Sequence, residues 1–260
     1  MKVISHTLDT VEPVTIIPLA DTHIGDANCD MDKVRKAIAM VTESPNTYAI
    51  LDGDLMNTAI AGSRSDVYHE TMTPTEQLKE CVDLFDGMAK AGRILAVLPG
   101  NHEERISRAA GVDMTKLFCL QLGIENCYSP TSALIFLRFG ANADHGKKYK
   151  LVYTIYANHG RGGVRRPGGK INALEDFARI VTADVYLAGH THQPACFRNV
   201  HYVPNPGNCT LSKREQVFVN TASFLTYDGS YADRQAYSPA SNVVPMIQLG
   251  ARNHEVKVTI

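Results

Sequence analysis

No apolar run in this sequence approaches the roughly 20 residues that a membrane-spanning helix needs. That argues against a helical membrane protein, and residues 1–10 lack the apolar centre of a secretory signal. Net charge is nearly absent too: 26 Lys and Arg against 27 Asp and Glu leave −1. Bulk electrostatics therefore argues neither for nor against a polyanionic partner, and any such attraction has to come from a local patch. Paired cysteines are also missing. The six cysteines, at 29, 81, 119, 127, 196 and 209, form no C-x-x-C pair, so they read as packed free thiols in a reducing compartment, and the expected location is cytoplasmic. Tryptophan is absent as well, which decides nothing.

What is present is an alternation of strand and helix patterns, in a length that can stay one layered domain over 1–260. Residues 14–20 form an apolar run ending at Asp21, the pattern of a buried strand. Residues 30–42 carry Val34, Ala37, Ile38 and Val41 at helical spacing and stop at Ser44-Pro45. A second strand is expected at 48–51. Thr73-Pro74-Thr75-Glu76 predicts a helix start with a capping box; Leu78, Val82, Phe85 and Ala89 supply its buried stripe and Gly92 its end. Further strands are expected at 93–98, 133–139, 151–157, 184–188, 196–203, 216–224 and 255–260. A helix is expected at 171–181, a polar hairpin loop at 142–148, and an irregular segment at 59–73. There is no internal repeat, low-complexity tract or linker. The class is mixed α/β, with two sheets between helices.

The chemistry lies where these strands end. Asp21-Thr22-His23 follows the first, Gly53-Asp54 the second, and Gly100-Asn101-His102-Glu103 the third. Asn158-His159-Gly160 follows the strand at 151–157, and Gly189-His190-Thr191-His192 the strand at 184–188. Open α/β sheets place their sites at such carboxyl ends. Imidazole and carboxylate suit Mn, Fe, Co, Ni or Zn without choosing among them, and the lack of cysteine in these motifs disfavours a structural zinc site. One histidine or one G-D pair is ordinarily a satisfied core or surface feature. Five of the ten histidines fall in these short motifs, however, which makes coincidence a poor account.

The ordered series D-x-H, G-D, G-N-H-E, H-G and G-H-T-H resembles the calcineurin-like metallophosphoesterase superfamily. The motifs span Asp21 to His192, and the similar strand layout runs to about Phe224. The resemblance implies a four-layer α/β/β/α sandwich of two mixed sheets, with a dinuclear centre at the strand ends. It implies that Asp21, His23 and His192 hold one metal, that Asn101, His159 and His190 hold the other, and that Asp54 bridges them. His102 takes the position of a catalytic histidine. Physically, two cations about 3.5–4 Å apart can clamp both oxygens of an in-line displacement. A free imidazole can then give the leaving oxygen its proton, help worth about 10²–10⁴-fold.

The sequence also departs from that pattern. Protein phosphatases of the superfamily follow G-D with an Asp-Arg pair, where this chain has Asn57-Thr58. The usual partner of the catalytic histidine and one phosphate-binding arginine are thus missing, and Asn57 is expected to orient His102 in their place. Residues 161–170, directly after His159, carry Arg161, Arg165, Arg166 and Lys170 among four glycines. They read as a mobile basic loop meeting an anionic substrate, and similar loops belong to phage- and prophage-type relatives. The expected function is a phosphoesterase, preferably of phosphodiesters in nucleic acid or nucleotides, with a phosphomonoesterase as the alternative. A non-catalytic metal-binding scaffold, or a hydrolase of a non-phosphate bond, is the competing reading. The expected substrate is a phosphorylated small molecule or a nucleic acid, and no membrane is involved. His69, His145, His201 and His254 lie outside every motif and are expected at the surface.

Overall fold

The computed structural model describes residues 1–63, 67–140, 151–163 and 166–260. The hairpin loop expected at 142–148 lies outside them, as does Arg165. Two mixed sheets stack face to face. One has the order β11 (Val256–Thr259), β10 (Met246–Leu249), β2 (Val14–Leu19), β3 (Thr47–Asp52) and β4 (Ile94–Leu98). The other runs β1 (Lys2–Thr7), β5 (Ser132–Phe139), β6 (Leu151–Asn158), β7 (Val185–Ala188), β9 (Thr210–Asn220) and β8 (Ala195–Asn205). Helices α1 (Met31–Thr42), α2 (Pro74–Lys90), α3 (Asn101–Ala110) and α4 (Met114–Leu122) follow strands of the first sheet. Helix α5 (Pro167–Glu175) follows β6, and the short α6 (Tyr231–Arg234) follows β9.

Side-chain alternation explains the layers. In β5, Ala133, Ile135, Leu137 and Phe139 are fully buried and meet Ile16, Ile50 and Leu98 of the facing sheet. The opposite face of the first sheet, including Ile17, Leu51 and Val97, packs on Val34 and Val41 of α1, Phe85 and Met88 of α2, and Phe118 of α4. The outer face of the second sheet packs Tyr156, Tyr186 and Phe218 under Leu174 of α5. Each such large side chain contributes about 1.5–3 kcal/mol by leaving water. Helix, sheet, sheet and helix are therefore the four expected layers.

Several elements differ from the sequence expectation. The helix expected at 171–181 begins at Pro167 and ends at Glu175, followed by a 3-10 turn at Asp176–Arg179. Pro167 takes the first helical turn, where its missing N–H costs nothing. The basic stretch 161–170 is consequently not one loop; its last four residues are helix. The strand expected at 216–224 stops at Asn220, because Thr221–224 turn inward over the site: Phe224 N–H donates to the Asp21 carbonyl at 3.0 Å. Strands β1 and β10 were not anticipated. β1 buries only Ile4 and lies at a sheet edge.

What positions the site is the parallel arrangement within each sheet. β2, β3 and β4 are mutually parallel, as are β6, β7 and β9. Their carboxyl ends meet at one edge of the stack. The backbone there is stitched together: Asp21 N–H donates to Gly53 O at 3.0 Å, His23 N–H to Asp54 O at 3.0 Å, and Gly189 N–H to His159 O at 3.1 Å.

Candidate metal centre

Six of the nine non-glycine residues with positive φ, among the described residues, sit at this edge: Asp21 (+55°), His23 (+49°), Asp54 (+50°), Thr58 (+43°), His190 (+63°) and His192 (+53°). A side chain in the left-handed region costs on the order of 1 kcal/mol or more, and such residues cluster at functional sites. Here the conformation turns alternate residues of each D-x-H, G-D and H-x-H segment towards one point.

That point is lined by buried donors, Asp21, His23, Asp54 and His159, and by half-buried ones, His102, His190 and His192. Asp21 Oδ1 lies 3.2 Å from His192 Nε2 and 4.0 Å from both His23 Nε2 and His159 Nε2. Asp54 Oδ2 lies 3.1 Å from His159 Nε2 and 3.8 Å from His102 Nε2. Three groups have ligand atoms within 4.8 Å of one another: Asp21, His23 and His192; His23, Asp54 and His102; and Asp54, His159 and His190. They share His23 and Asp54, so they adjoin. Two buried atoms stay unpartnered: Asn101 Oδ1, in the first turn of α3, and His159 Nε2, the atom 3.1 Å from Asp54 Oδ2. An orphaned buried acceptor costs about 1–3 kcal/mol, which a cation at that spot would offset.

The surrounding residues hold these donors in place. His159 Nδ1 bonds the Asp52 carbonyl at 2.6 Å and His190 Nε2 the Gly162 carbonyl at 2.9 Å, the outer-shell pattern typical of ligating imidazoles. The His190 N–H reaches Asp21 Oδ2 at 2.9 Å. Glu103, buried in the first turn of α3, takes the backbone N–H groups of Gly100 (2.8 Å), Met56 (2.8 Å) and Asp54 (3.1 Å), locking two donor-bearing loops together. A Cβ on Gly100 would lie 2.1 Å from Asp54 Oδ1, so only glycine admits the carboxylate there.

Electrostatics follows from burial in a cluster of charges. Burial drives the His23 pKa well down and pulls His102 to about 4. It pushes Glu103 up to about 7, with the Asp54 charge adding to the rise. Burial also works to discharge His159, but Asp54 beside it outweighs that and holds the ring well above its ordinary value. Asp52, fully buried with neither carboxyl oxygen partnered, is pushed well up by burial.

Asp21, His23, Asp54, His159, His190 and His192 thus meet at this edge, and Asn101 lies in the first turn of α3 next to His102. Arg161 is exposed, Arg166 is exposed at the start of α5, and Arg165 is outside the described residues. Asn57 needs a correction. Its side chain does not hold His102: its backbone carbonyl does, accepting from His102 Nδ1 at 2.9 Å, while its amide oxygen meets His23 Nδ1 at 3.2 Å. A left-handed turn at Thr58 produces this, and the sequence gives no sign of it. The motifs give no sign of Arg105 as part of the site, and the sequence places Lys170 in the basic loop without the contact it makes. Arg105 brings its guanidinium within 3.4 Å of the same Asn57 carbonyl, and Lys170 donates to the Thr191 carbonyl at 2.9 Å, between His190 and His192. Helical spacing from His102 would have pointed to Arg105.

Residues 14–194 match the family model described as calcineurin-like phosphoesterase. No curated protein matches the sequence. Among solved structures the chain is similar to a predicted phosphoesterase from Streptococcus pneumoniae TIGR4, at 15% identity over 95% of this chain and 88% of that one, with a TM-score of 0.38. It is also similar to Vps29 from Entamoeba histolytica. A single mutant of that protein gives 15% identity over 95% of this chain and 97% of that one, with a TM-score of 0.41. The wild type complexed with Zn²⁺ gives 14% identity, the same coverage of 95% and 97%, and a TM-score of 0.39.

Proposed function

The chain belongs to the calcineurin-like phosphoesterase family, and we propose that it is a metal-dependent hydrolase with two divalent cations that prefers phosphodiesters, in nucleic acid or nucleotides. The observation that carries this is the adjoining set of buried donor groups sharing His23 and Asp54. In this reading Asp21, His23 and His192 hold one cation, Asn101, His159 and His190 the other, and Asp54 lies between them. Bound cations supply Lewis-acid charge and an acidified water to in-line displacement.

The chain's own residues do the rest. Glu103 and Gly100 fix Asp54 against the N-terminus of α3, so the two sets of donors keep their spacing. His102, held at Nδ1 by the Asn57 carbonyl, turns Nε2 towards Asp54; burial, which lowers its pKa to about 4, makes it a strong acid once protonated, and in this reading it hands that proton to the leaving oxygen. Arg105, Arg161, Arg165 and Arg166 meet the anionic substrate; a guanidinium matches two phosphoryl oxygens at once. The diester preference rests on Asn57-Thr58 in place of an Asp-Arg pair and on the basic residues after His159.

The test is hydrolysis of a phosphomonoester, a phosphodiester, and single- and double-stranded DNA, with Mn²⁺, Ni²⁺ and Zn²⁺ in parallel. Diester turnover that vanishes in Asp54→Ala and His159→Ala supports the reading. Turnover of monoesters alone overturns the diester preference, and metal-loaded protein inert on every phosphoester overturns the enzyme itself.

A further inference from the structure

We infer that Asn57 and Glu70 form a matched amide–carboxylate pair that positions the ligand His23, and that this pair is why the chain carries Asn where an Asp would be expected. The inference rests on the proposed metal centre and names a positioning device within it.

Asn57 is almost fully buried and its amide is enclosed by groups of fixed polarity. Nδ2 faces two carboxylates, Asp26 Oδ2 at 3.2 Å and Glu70 Oε1 in a shorter contact. An NH2 group has two hydrogens, one for each; the reversed amide would set its oxygen against both carboxylates. Oδ1 must therefore face His23, and at 3.2 Å it can only accept the Nδ1–H. That choice fixes the tautomer of His23. With the proton on Nδ1, Nε2 keeps a lone pair, and this atom lies 3.2 Å from His192 Nε2 and 4.0 Å from Asp21 Oδ1.

Glu70 is held as firmly as the residue it orients. Its second oxygen accepts from Gln77 Nε2 at 2.5 Å. Gln77 is fully buried on α2, gives Nε2 also to the Met72 carbonyl at 2.9 Å, and takes the Thr58 N–H on its own oxygen at 2.8 Å. Gly25, at φ +105°, makes room for it: a Cβ there would lie 2.3 Å from Gln77 Nε2. The network runs from Glu70, in the segment 59–73, through Gln77 and Asn57 to His23.

An Asp at position 57 would bring a third carboxylate against Asp26 and Glu70, where an amide now joins them. The chain departs from the protein-phosphatase pattern at position 57 because Glu70 already supplies the negative charge. Exchanging the two chemistries, acid at 57 and amide at 70, restores the donor–acceptor match between these two positions and leaves only Asp26 facing the new carboxylate.

The experiment is a Co²⁺ titration, followed by visible absorbance and calorimetry, of wild type, Asn57→Asp, Glu70→Gln and the double variant, with circular dichroism as the folding control. Asn57→Asp is expected to weaken Co²⁺ binding by about 10–100-fold. Glu70→Gln alone, which sets an amide NH2 against that of Asn57 or Gln77, is expected to weaken it by about 3–10-fold. Adding Glu70→Gln to Asn57→Asp is expected to recover most of the loss. Wild-type affinity in Asn57→Asp, or a double variant no better than Asn57→Asp, overturns the inference. A second measurement uses the wild type alone. Long-range ¹H–¹⁵N spectra should show His23 protonated at Nδ1; an Nε2–H tautomer overturns the pair even if Asn57→Asp fails to fold. Neither readout uses turnover, so loss of the phosphoesterase reading and loss of this pair are separate outcomes.

Discussion

The two ends of β7 carry the same kinds of side chain and use them differently. At its carboxyl end, His190 and His192 join Asp21, Asp54 and His159. Before its amino end, Asp184 is buried, and its Oδ2 receives the Thr154 N–H at 2.8 Å and the Thr154 hydroxyl at 2.6 Å, while His254 Nε2, bonded to the Val152 carbonyl at 3.1 Å, lies 3.6 Å away as an ion-pair partner. The His254 ring stacks on Tyr153 with centroids 4.3 Å apart. At Asp184 the polar atoms close on one another and the backbone is unstrained. At the carboxyl end donors stay orphaned, and the backbone sits in the left-handed region at five proposed ligands. Residue type therefore does not separate a structural cluster from a functional one. Unmet hydrogen-bonding capacity and backbone strain do.

The sharpest way to break that comparison is to neutralise one carboxylate at each end. Asp54→Asn should reduce phosphoester turnover at least about a thousandfold, since it removes charge from between the two donor groups. Calorimetry should show the loss of at least one divalent-cation site. Asp184→Asn should leave turnover and cation binding within about twofold while lowering unfolding free energy by about 1–3 kcal/mol, read by urea denaturation. Reversed outcomes would mean that the strained end is structural and the relaxed end functional.

The next prediction concerns space at the strained end. Gly100→Ala should displace Asp54, because the new methyl falls 2.1 Å from Oδ1 with backbone behind it. Expected results are a cation affinity reduced about tenfold or more and a stability loss of about 1–3 kcal/mol. Unchanged Co²⁺ binding would mean that the Asp54 loop is less constrained than the contacts imply.

Glu103→Gln probes the support beneath the ligands. The carboxylate accepts three backbone N–H groups, whereas the amide NH2 would face at least one of them donor to donor. Stability should fall by about 1–3 kcal/mol. Cation affinity should fall as well, which distinguishes this buried acid from Asp184, whose replacement should touch stability alone. Parallel urea melts and Co²⁺ titrations of the two variants decide it.

The unequal legibility of these regions has a physical basis. The strands that carry the proposed ligands are readable because they are apolar runs ended by glycine and polar residues, and the motif order marks Asp21, His23, Asp54, Asn101, His159, His190 and His192 together. The four layers followed from strand–helix alternation and the resemblance. Side-chain direction was not readable. Asn57 looked like a partner for the His102 ring, but the turn at Thr58 gives His102 the backbone carbonyl and frees the amide for His23. Glu70 and Gln77 belong to the site only through tertiary contact, and no local spacing announces them. The start of α5 was written in Pro167 but was masked by the glycines that made 161–170 look like one loop.

The smallest predicted effect tests whether the relaxed end behaves as an ordinary ion pair. The Asp184 carboxylate, 3.6 Å away, raises the His254 pKa, against burial that lowers it. For Asp184, burial raises the pKa, but His254 and the hydrogen bonds from Thr154 outweigh it and leave the carboxyl below its ordinary value. A raised histidine pKa contributes stability that is complete below the unfolded value, about 6.5, and is lost as pH climbs through the folded value. The lowered Asp184 pKa sets the acid limit, since its contribution is lost only as pH falls below about 4. The pair therefore works between those limits and not above the raised histidine value. His254 is 45% exposed, so solvent screening holds the contribution below about 1 kcal/mol. His254→Gln should cost that much or less at pH 6 and nothing measurable at pH 9, by urea denaturation at both. An equal cost at both pH values would assign the stabilisation to stacking on Tyr153 rather than to charge.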